Sequence, residues 1–249
     1  MASDDGTPQT CVMSERNERR ELRGATYGAA PDALLQRLTR HDWPEDALQV
    51  VGEGVLVLAR EPGVDIAPTA RRCVRELRER CWRGDSELAG QIEAALGWTG
   101  TPMLLPLALD LQELAELLEG DPMVGGGVID LSSGNTWPQS ILDGDGLVDE
   151  DDPDLDDQER WLWVHCEGSR AGYHDMQLFT ADLPDGPVAD RLARSIEGRG
   201  AFRRFKDTLD EWPELLTRWL EFSDERQLGR ARAWLAEQGY AAVPQQVEP

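Results

Sequence analysis

The chain has 249 residues, and 40% of them are hydrophobic, which is enough apolar content to fill a globular core. Asp and Glu number 48 against 25 Lys and Arg, so the formal net charge is −23 at pH 7. A charge of that size repels nucleic acid and anionic membranes, which argues against bulk nucleic-acid binding except where a local patch reverses the field.

The first part of the chain is predicted to consist of a tail and a helical region. Residues 1–28 are polar and mixed in charge, so they cannot offset the entropy of ordering and are expected to form a flexible tail. Residues 29–100 are predicted to be a helical N-terminal region, because apolar residues recur there at helical spacing. Its clearest helices are expected at 32–38, 68–83 and 85–96.

One segment of this region has two interpretations. Asp42 followed by Pro44 is typical of a helix start, and residues 48–58 then carry an apolar stripe at helical spacing. Gly52 and Gly54 each weaken a helix by about 1 kcal/mol. A helix is therefore predicted, and a pair of short strands remains open as the alternative.

Residues 103–240 are predicted to form an α+β domain, and residues 241–249 a C-terminal tail. The domain begins with a strand at 103–107. Asp110 then has the character of a helix cap, and the helix that follows is expected to end at Gly120.

A β-hairpin and a third strand are predicted next. Residues 127–131 and 136–141 are rich in β-branched and aromatic side chains and flank a turn that contains glycine. Pro138 cannot donate to a ladder, so the second strand should lie at a sheet edge or end early. Residues 160–167 are predicted to form the third strand, with both of its faces largely buried.

The remainder of the chain is predicted to be helical. Helices are expected at 171–181, 187–197, 201–211 and 213–238, and a break in the last one near Ser223 is left open. The fold class is therefore α+β, with a helical N-terminal region, a small antiparallel hairpin or three-stranded sheet, and a C-terminal helical half.

The cysteines and the apolar segments indicate the compartment. The four cysteines are scattered without a C-x-x-C pair or a His-rich segment, so neither a zinc site nor a disulfide framework is predicted. The N-terminus lacks the basic and apolar regions of a secretory signal, and the longest apolar run, 103–109, is too short to span a membrane. We expect a cytoplasmic protein without metal or cofactor.

Several segments near the C-terminus occur in an order that resembles the uncharacterised protein family 0158. The first is Gly-Arg-Gly-Ala-Phe-Arg-Arg-Phe-Lys-Asp at 198–207, and tryptophan-containing segments follow at 212–215, 219–222 and 232–235. The hairpin at 129–138 is similar to the element that opens the same family domain. The resemblance covers roughly residues 110–240 and implies an α+β domain with a C-terminal helical half, but it implies no activity.

The segment 198–207 is the candidate binding site. It is basic within a very acidic chain, and it contains the single lysine. At helical spacing Phe202, Phe205 and Leu209 are predicted to be a buried stripe, while the cations project outward beside a helix N-terminus that favours anions. The predicted binding residues are Arg199, Arg203, Arg204 and Lys206. The alternative is that these cations pair with the protein's own carboxylates.

These features favour a non-enzymatic binding or adaptor protein whose partner is an acidic protein or a phosphate-bearing ligand. The alternative is an enzyme with a cleft between the sheet and the C-terminal helices, where Asp130 or His174 would act as a general acid or base. The pair His165 and Cys166 is not predicted to be catalytic, because adjacent residues of a strand point to opposite faces. No Walker, G-x-G-x-x-G, H-E-x-x-H or G-x-S-x-G motif occurs in the sequence.

The acidic segment 143–157 contains no basic residue. It resembles a calcium loop only in part, because Ile141 occupies the first ligand position and the terminal bidentate Glu is missing. A solvated, flexible loop is the preferred interpretation. A third functional hypothesis is that this segment mimics the charge of a nucleic acid.

Overall fold

The computed structural model describes residues 19–26, 28, 31–40, 43, 45–100, 103–120, 125–142 and 157–243. The helices of these residues are α1 at 19–26, α2 at Pro31–Leu38, α3 at Leu48–Leu58, α4 at Ala67–Arg80, α5 at Asp85–Ala95, α6 at Leu111–Glu119, α7 at Gln139–Leu142, α8 at Arg170–Ala181, α9 at Pro187–Ser195, α10 at Ala201–Leu209 and α11 at Pro213–Glu237. A single 3-10 turn at Glu45–Ala47 precedes α3. The strands are β1 at Leu105–Ala108, β2 at Gly127–Asp130, β3 at Thr136–Pro138, β4 at Trp161–Val164 and β5 at Tyr240–Val243.

The α+β fold class is confirmed, including a three-stranded antiparallel sheet in the order β3-β2-β4. The hairpin of β2 and β3 has the predicted position, and β3 is an edge strand that ends at Pro138. Gly134 in its turn has φ of 77°, and a Cβ there would lie 1.5 Å from the carbonyl oxygen of Ala108. Only glycine allows this turn to approach the end of β1 so closely.

The third strand is shorter and more exposed than predicted. It ends at Val164 rather than at Glu167, and Trp163 is 38% exposed. The prediction that both faces are largely buried fails at Trp163, because β4 is the second edge of the antiparallel sheet, whereas Trp161 on the same face is only 6% exposed. His165 is exposed as well, and Cys166 is half-buried.

A second, two-stranded sheet was not predicted. Strands β1 and β5 are parallel, with Leu105 opposite Tyr240 and Ala108 opposite Val243. A parallel pair needs a long crossover connection, and here almost the whole second half of the chain lies between the two strands. Part of β5 falls within the segment that the sequence analysis assigned to the C-terminal tail.

The main hydrophobic core joins the N-terminal helices to the domain that follows them. It contains buried residues from α2 to α6, from β1, β2, β4 and β5, and from the C-terminal half of α11. Helix α3 lies at its centre, which confirms the predicted helix and shows that the alternative of two short strands is wrong. A Cβ on Gly52 would lie 2.4 Å from Leu88 Cδ2, so this glycine is what allows α3 and α5 to pack closely.

Residues 19–26 were assigned to the flexible tail, but they form helix α1. Leu22 and Thr26 are buried, and the Arg19 guanidinium donates to the carbonyl oxygen of Asp46 at 2.9 Å and to that of Glu221. These contacts with residues far along the chain offset the entropy of ordering, and no local pattern reveals them.

A second, smaller core lies within the C-terminal helices. It is built from α8, α9, α10 and the first half of α11. The Trp219 ring packs edge-on against the rings of Phe205 and Phe179, with distances between ring centres of 4.9 Å and 5.4 Å. The four predicted helices are confirmed, and α11 is continuous through Ser223. Phe202 departs from the predicted buried stripe, because its side chain is 45% exposed. No helix among the described residues is long and apolar enough to cross a bilayer.

Candidate functional site

The four predicted binding residues lie together in solvent on α10 and the turn before it, but they differ in their hydrogen bonds. Arg199, Arg203 and Lys206 are exposed, and we refer to these three residues with Phe202 as the basic surface. The Arg203 side chain is 89% exposed, and its Nε lies 3.7 Å from Asp207 Oδ2. An exposed pair at this separation is weak, so it does not hold the guanidinium away from solvent.

Arg204 has a different environment. Its guanidinium donates to the carbonyl oxygen of Ser195 at 3.2 Å and to those of Glu197 and Arg199. These carbonyls belong to the end of α9 and to the turn that follows, where helix geometry leaves acceptors without partners. Arg204 therefore stabilises the turn between α9 and α10, and each of its three guanidinium nitrogens already donates one hydrogen bond there.

The N-terminus of α10 adds to the positive character of the surface. Gly200 precedes the helix with φ of 77°, and no side chain caps the first amides. The ring of Phe202 lies over α8, since a Cβ on Gly172 would be 3.3 Å from Phe202 Cε1. The surface thus combines cations with an exposed aromatic ring.

Asp130, one candidate for acid or base chemistry, has a structural environment. Its carboxylate accepts hydrogen bonds from the Ser132 amide at 2.9 Å, the Ser132 hydroxyl at 2.6 Å and the Arg160 guanidinium at 3.2 Å. Burial would raise the pKa of Asp130, but these hydrogen bonds outweigh it and hold the pKa below the ordinary value. The carboxylate thus stays ionised and closes the hairpin turn.

His174, the other candidate, lies on α8 and lines a cavity of about 170 Å³. We call this the arginine cavity, and it is lined by Trp82, Arg83, Ala171, His174, Asp175, Arg226 and Arg230. A second cavity of about 320 Å³ is lined by α6, by the two glycines that precede β2 and by β3. Neither cavity is lined by Asp130, so the structure does not bring Asp130 and His174 together in one site.

The wall of the arginine cavity contains a buried charge cluster that the sequence analysis missed. Asp175 is fully buried, and its two oxygens accept from Arg226 Nε at 2.8 Å and Arg230 Nη1 at 2.7 Å. Arg230 also contacts Glu119. Burial raises the pKa of Glu119, and the attraction of Arg230 opposes that rise. Arg226 and Arg230 lie four residues apart on α11, and residues at this spacing share one helix face. This spacing is the one feature of the sequence that could have indicated the cluster.

A second buried charge network connects α3, α4, α5 and α11. The guanidinium of Arg232 is inaccessible to solvent and donates to Glu53 at 2.9 Å and to Gln49 at 2.8 Å. Arg80 pairs with Asp85 at 2.7 Å and with Glu225 at 2.9 Å. Buried charges need such partners, because an unpaired one is very costly to desolvate.

The remaining candidates do not form a site within the described residues. The Cys166 thiol donates to the carbonyl oxygen of Gly120 at 2.7 Å, while the neighbouring His165 is exposed. Burial raises the pKa of the Cys73 thiol, which keeps it protonated. The calcium-loop and nucleic-acid-mimic hypotheses concern residues 143–157, of which all but the last lie outside the described part of the chain.

The fold and surface define an α+β protein with an exposed cationic patch on its C-terminal helical half. A family model for the uncharacterised protein family UPF0158 matches residues 147–248. The UPF0158 protein PA5073 of Pseudomonas aeruginosa is 30% identical over 135 residues, which cover 52% of this chain and 82% of the relative. The chain belongs to the UPF0158 family. The matched residues include β4, the C-terminal helices and β5. No solved structure matches the chain.

Proposed function

We propose that this protein is a non-catalytic binding protein of the cytoplasm that holds an acidic protein or a phosphate-bearing ligand on the basic surface. The observation that carries the proposal is the exposure of Arg199, Arg203 and Lys206 in a chain with a net charge of −23. Such a molecule repels most anions, so a partner with negative charge is attracted chiefly where the local sign is reversed.

The residues of the surface suit this role in different ways. Arginine can bind a carboxylate or a phosphate through two parallel hydrogen bonds, and lysine adds a point charge. Phe202 is 45% exposed and supplies apolar contact area next to the cations. Arg204 stabilises the turn beneath them, which holds the start of α10 in place for binding.

A charge-reversal experiment tests the proposal. The variant Arg199→Glu, Arg203→Glu, Lys206→Glu leaves Arg204 intact, so its circular dichroism should match that of the wild type. Bound partners are recovered by affinity capture from the native cytoplasm and identified by mass spectrometry. We expect the variant to lose the partners that the wild type captures at low salt, and the difference between the two proteins to shrink as salt rises, because salt screens attraction and repulsion alike.

The matched control carries the same change of charge at exposed arginines elsewhere, as Arg20→Glu, Arg60→Glu, Arg75→Glu. It should retain the partners of the wild type. Equal capture by the two variants, or capture by the first variant that is indistinguishable from the wild type, would reject the basic surface as the binding site.

A further inference from the structure

We infer that the arginine cavity is a binding site for the oxyanion group, phosphate or carboxylate, of a small molecule. The cavity lies between the turn that joins α4 to α5, helix α8 and helix α11. It is separate from the basic surface, and the inference does not depend on the function proposed above.

The first argument is the charge of the lining. Three guanidinium groups and one imidazole line the cavity, and Asp175 is its only carboxylate among the described residues. Acidic residues outnumber basic ones by almost two to one in the whole chain, so the cavity lining has the opposite sign of charge to the chain as a whole. A concave, partly desolvated lining of this sign concentrates anions.

The second argument is the geometry of Arg226. Its Nε donates to Asp175, while its guanidinium carbon lies 5.0 Å from the centre of the Trp82 ring and 5.9 Å from that of Phe222. The side chain is only 14% exposed, so it is held in one orientation. No described residue accepts from the two terminal nitrogens of Arg226. A fixed guanidinium with both terminal nitrogens available is suited to bidentate binding of an oxyanion.

Asp175 and Arg230 hold this guanidinium in place. Asp175 accepts from one arginine with each of its oxygens, and Arg230 is bound on its other side by Glu119. Arg230 therefore has its charge shared by two carboxylates and acts as a positioning residue. The arrangement aligns Arg226 before a ligand arrives, which lowers the cost of ordering on binding.

Arg83 provides a second contact at the mouth of the cavity. Its side chain is 45% exposed, and its carboxylate partners, Glu237 at 3.4 Å and Glu167 at 3.7 Å, are themselves exposed. Exposed pairs at these separations are weak, so Arg83 can turn toward an anion at little cost. The cavity volume of about 170 Å³ is below the roughly 300 Å³ at which pockets for drug-sized ligands begin, so the occupant is small.

Isothermal titration calorimetry of the full chain at low ionic strength tests the inference, with inorganic phosphate and malonate as probes. We expect one saturable site per chain for at least one of the two probes. Binding of phosphate alone identifies a phosphate-bearing ligand, and binding of malonate alone identifies a carboxylate. The absence of saturable binding for both at millimolar concentration would overturn the inference.

Variants locate the site. Arg226→Gln should weaken binding about tenfold or more. Its control is Arg218→Gln, since Arg218 lies on the same helix, pairs with an aspartate and lies over an aromatic ring, but is outside the cavity. The control should change the affinity by less than about twofold. If Arg226→Gln does not fold, the charge-balanced variant Asp175→Asn, Arg226→Gln and the exposed variant Arg83→Gln replace it, and both should bind more weakly. Unchanged affinity in the cavity variants, or loss of affinity only when the basic surface is reversed, would place the anion elsewhere.

Discussion

The main core and the smaller C-terminal core differ in whether their cationic side chains are paired with carboxylates or exposed to solvent. In the main core Arg232 is buried and Arg80 is half-buried; Arg232 pairs with Glu53, and Arg80 pairs with Asp85 and Glu225. In the smaller core Arg203 and Lys206 on α10 and Arg199 in the turn before it are exposed beside an exposed aromatic ring. The comparison shows that the number of cations says little about binding, because the available charge depends on which carboxylates lie within reach.

The arginine cavity lies between these two regions and shares features of both. Arg230 pairs with two carboxylates, as Arg80 does in the main core. Arg226 donates to Asp175 through Nε and keeps its terminal nitrogens available. The C-terminal half of α11 belongs to the main core and its first half to the smaller one. This one helix therefore positions both kinds of arginine.

The largest expected effect on stability concerns the buried ion pair of the main core. Arg232→Leu removes the guanidinium that pairs with the buried Glu53, so it should lower the free energy of unfolding by about 3–5 kcal/mol. Urea unfolding followed by circular dichroism measures the change. The double variant Arg232→Leu, Glu53→Gln should recover part of the loss, since it also removes the buried carboxylate charge of Glu53. A loss below that of an ordinary surface variant would contradict the structural role of Arg232.

A second test uses the pH dependence of stability in the main core. Burial and the nearby Glu225 raise the pKa of Asp46 from 3.8 to about 6, so the folded state binds this proton more tightly than the unfolded state does. The stabilisation from the protonated form is complete below pH 3.8 and is lost as the pH rises through about 6. Above that pH the ionised carboxylate is a cost.

Asp46→Asn removes that cost without adding a charge. The variant should be more stable than the wild type by about 2 kcal/mol at pH 8, and the difference should shrink between pH 6 and pH 4 and disappear below it. Denaturant unfolding across this range gives the difference at each pH. A difference that is independent of pH would show that Asp46 does not titrate as described.

The smallest expected effect distinguishes two neighbouring arginines of the smaller core. Arg204→Gln removes donors to the carbonyls that end α9, so it should cost about 1 kcal/mol of stability. Arg203→Gln removes only an exposed pair and should change stability by less than about 0.5 kcal/mol. Thermal unfolding of the two variants makes the comparison. Equal effects would remove the distinction between a residue that supports the turn and one that is available to a partner.

Local pattern was sufficient for most of the helices and for the hairpin. The cap at Asp110 was correctly identified, since its side chain accepts from the Gln112 amide at 2.8 Å. Pro138 correctly indicated an edge strand. The wrong expectations for Phe202 and for Trp163 have a common cause. Periodicity states which residues share a face, but a neighbouring element decides whether that face is covered.

The candidate sites show the same limit more sharply. The sequence pointed to the basic segment, but it did not separate Arg204 from its neighbours, because the carbonyls of Ser195 and Glu197 meet its guanidinium only after the chain turns at Gly198 and Gly200. The arginine cavity was missed because Asp175 and Glu119 reach α11 from distant parts of the chain.

The sequence by itself determined the class of fold, the positions of most elements, the family resemblance and the local reversal of charge, since each depends on residues close together in the chain. The tertiary structure alone decided the pairing of β1 with β5, the packing of α1 and the state of each arginine. These depend on groups far apart in sequence, which interact only after the core has brought them together. A charge is free or matched according to those contacts, and composition does not contain that information.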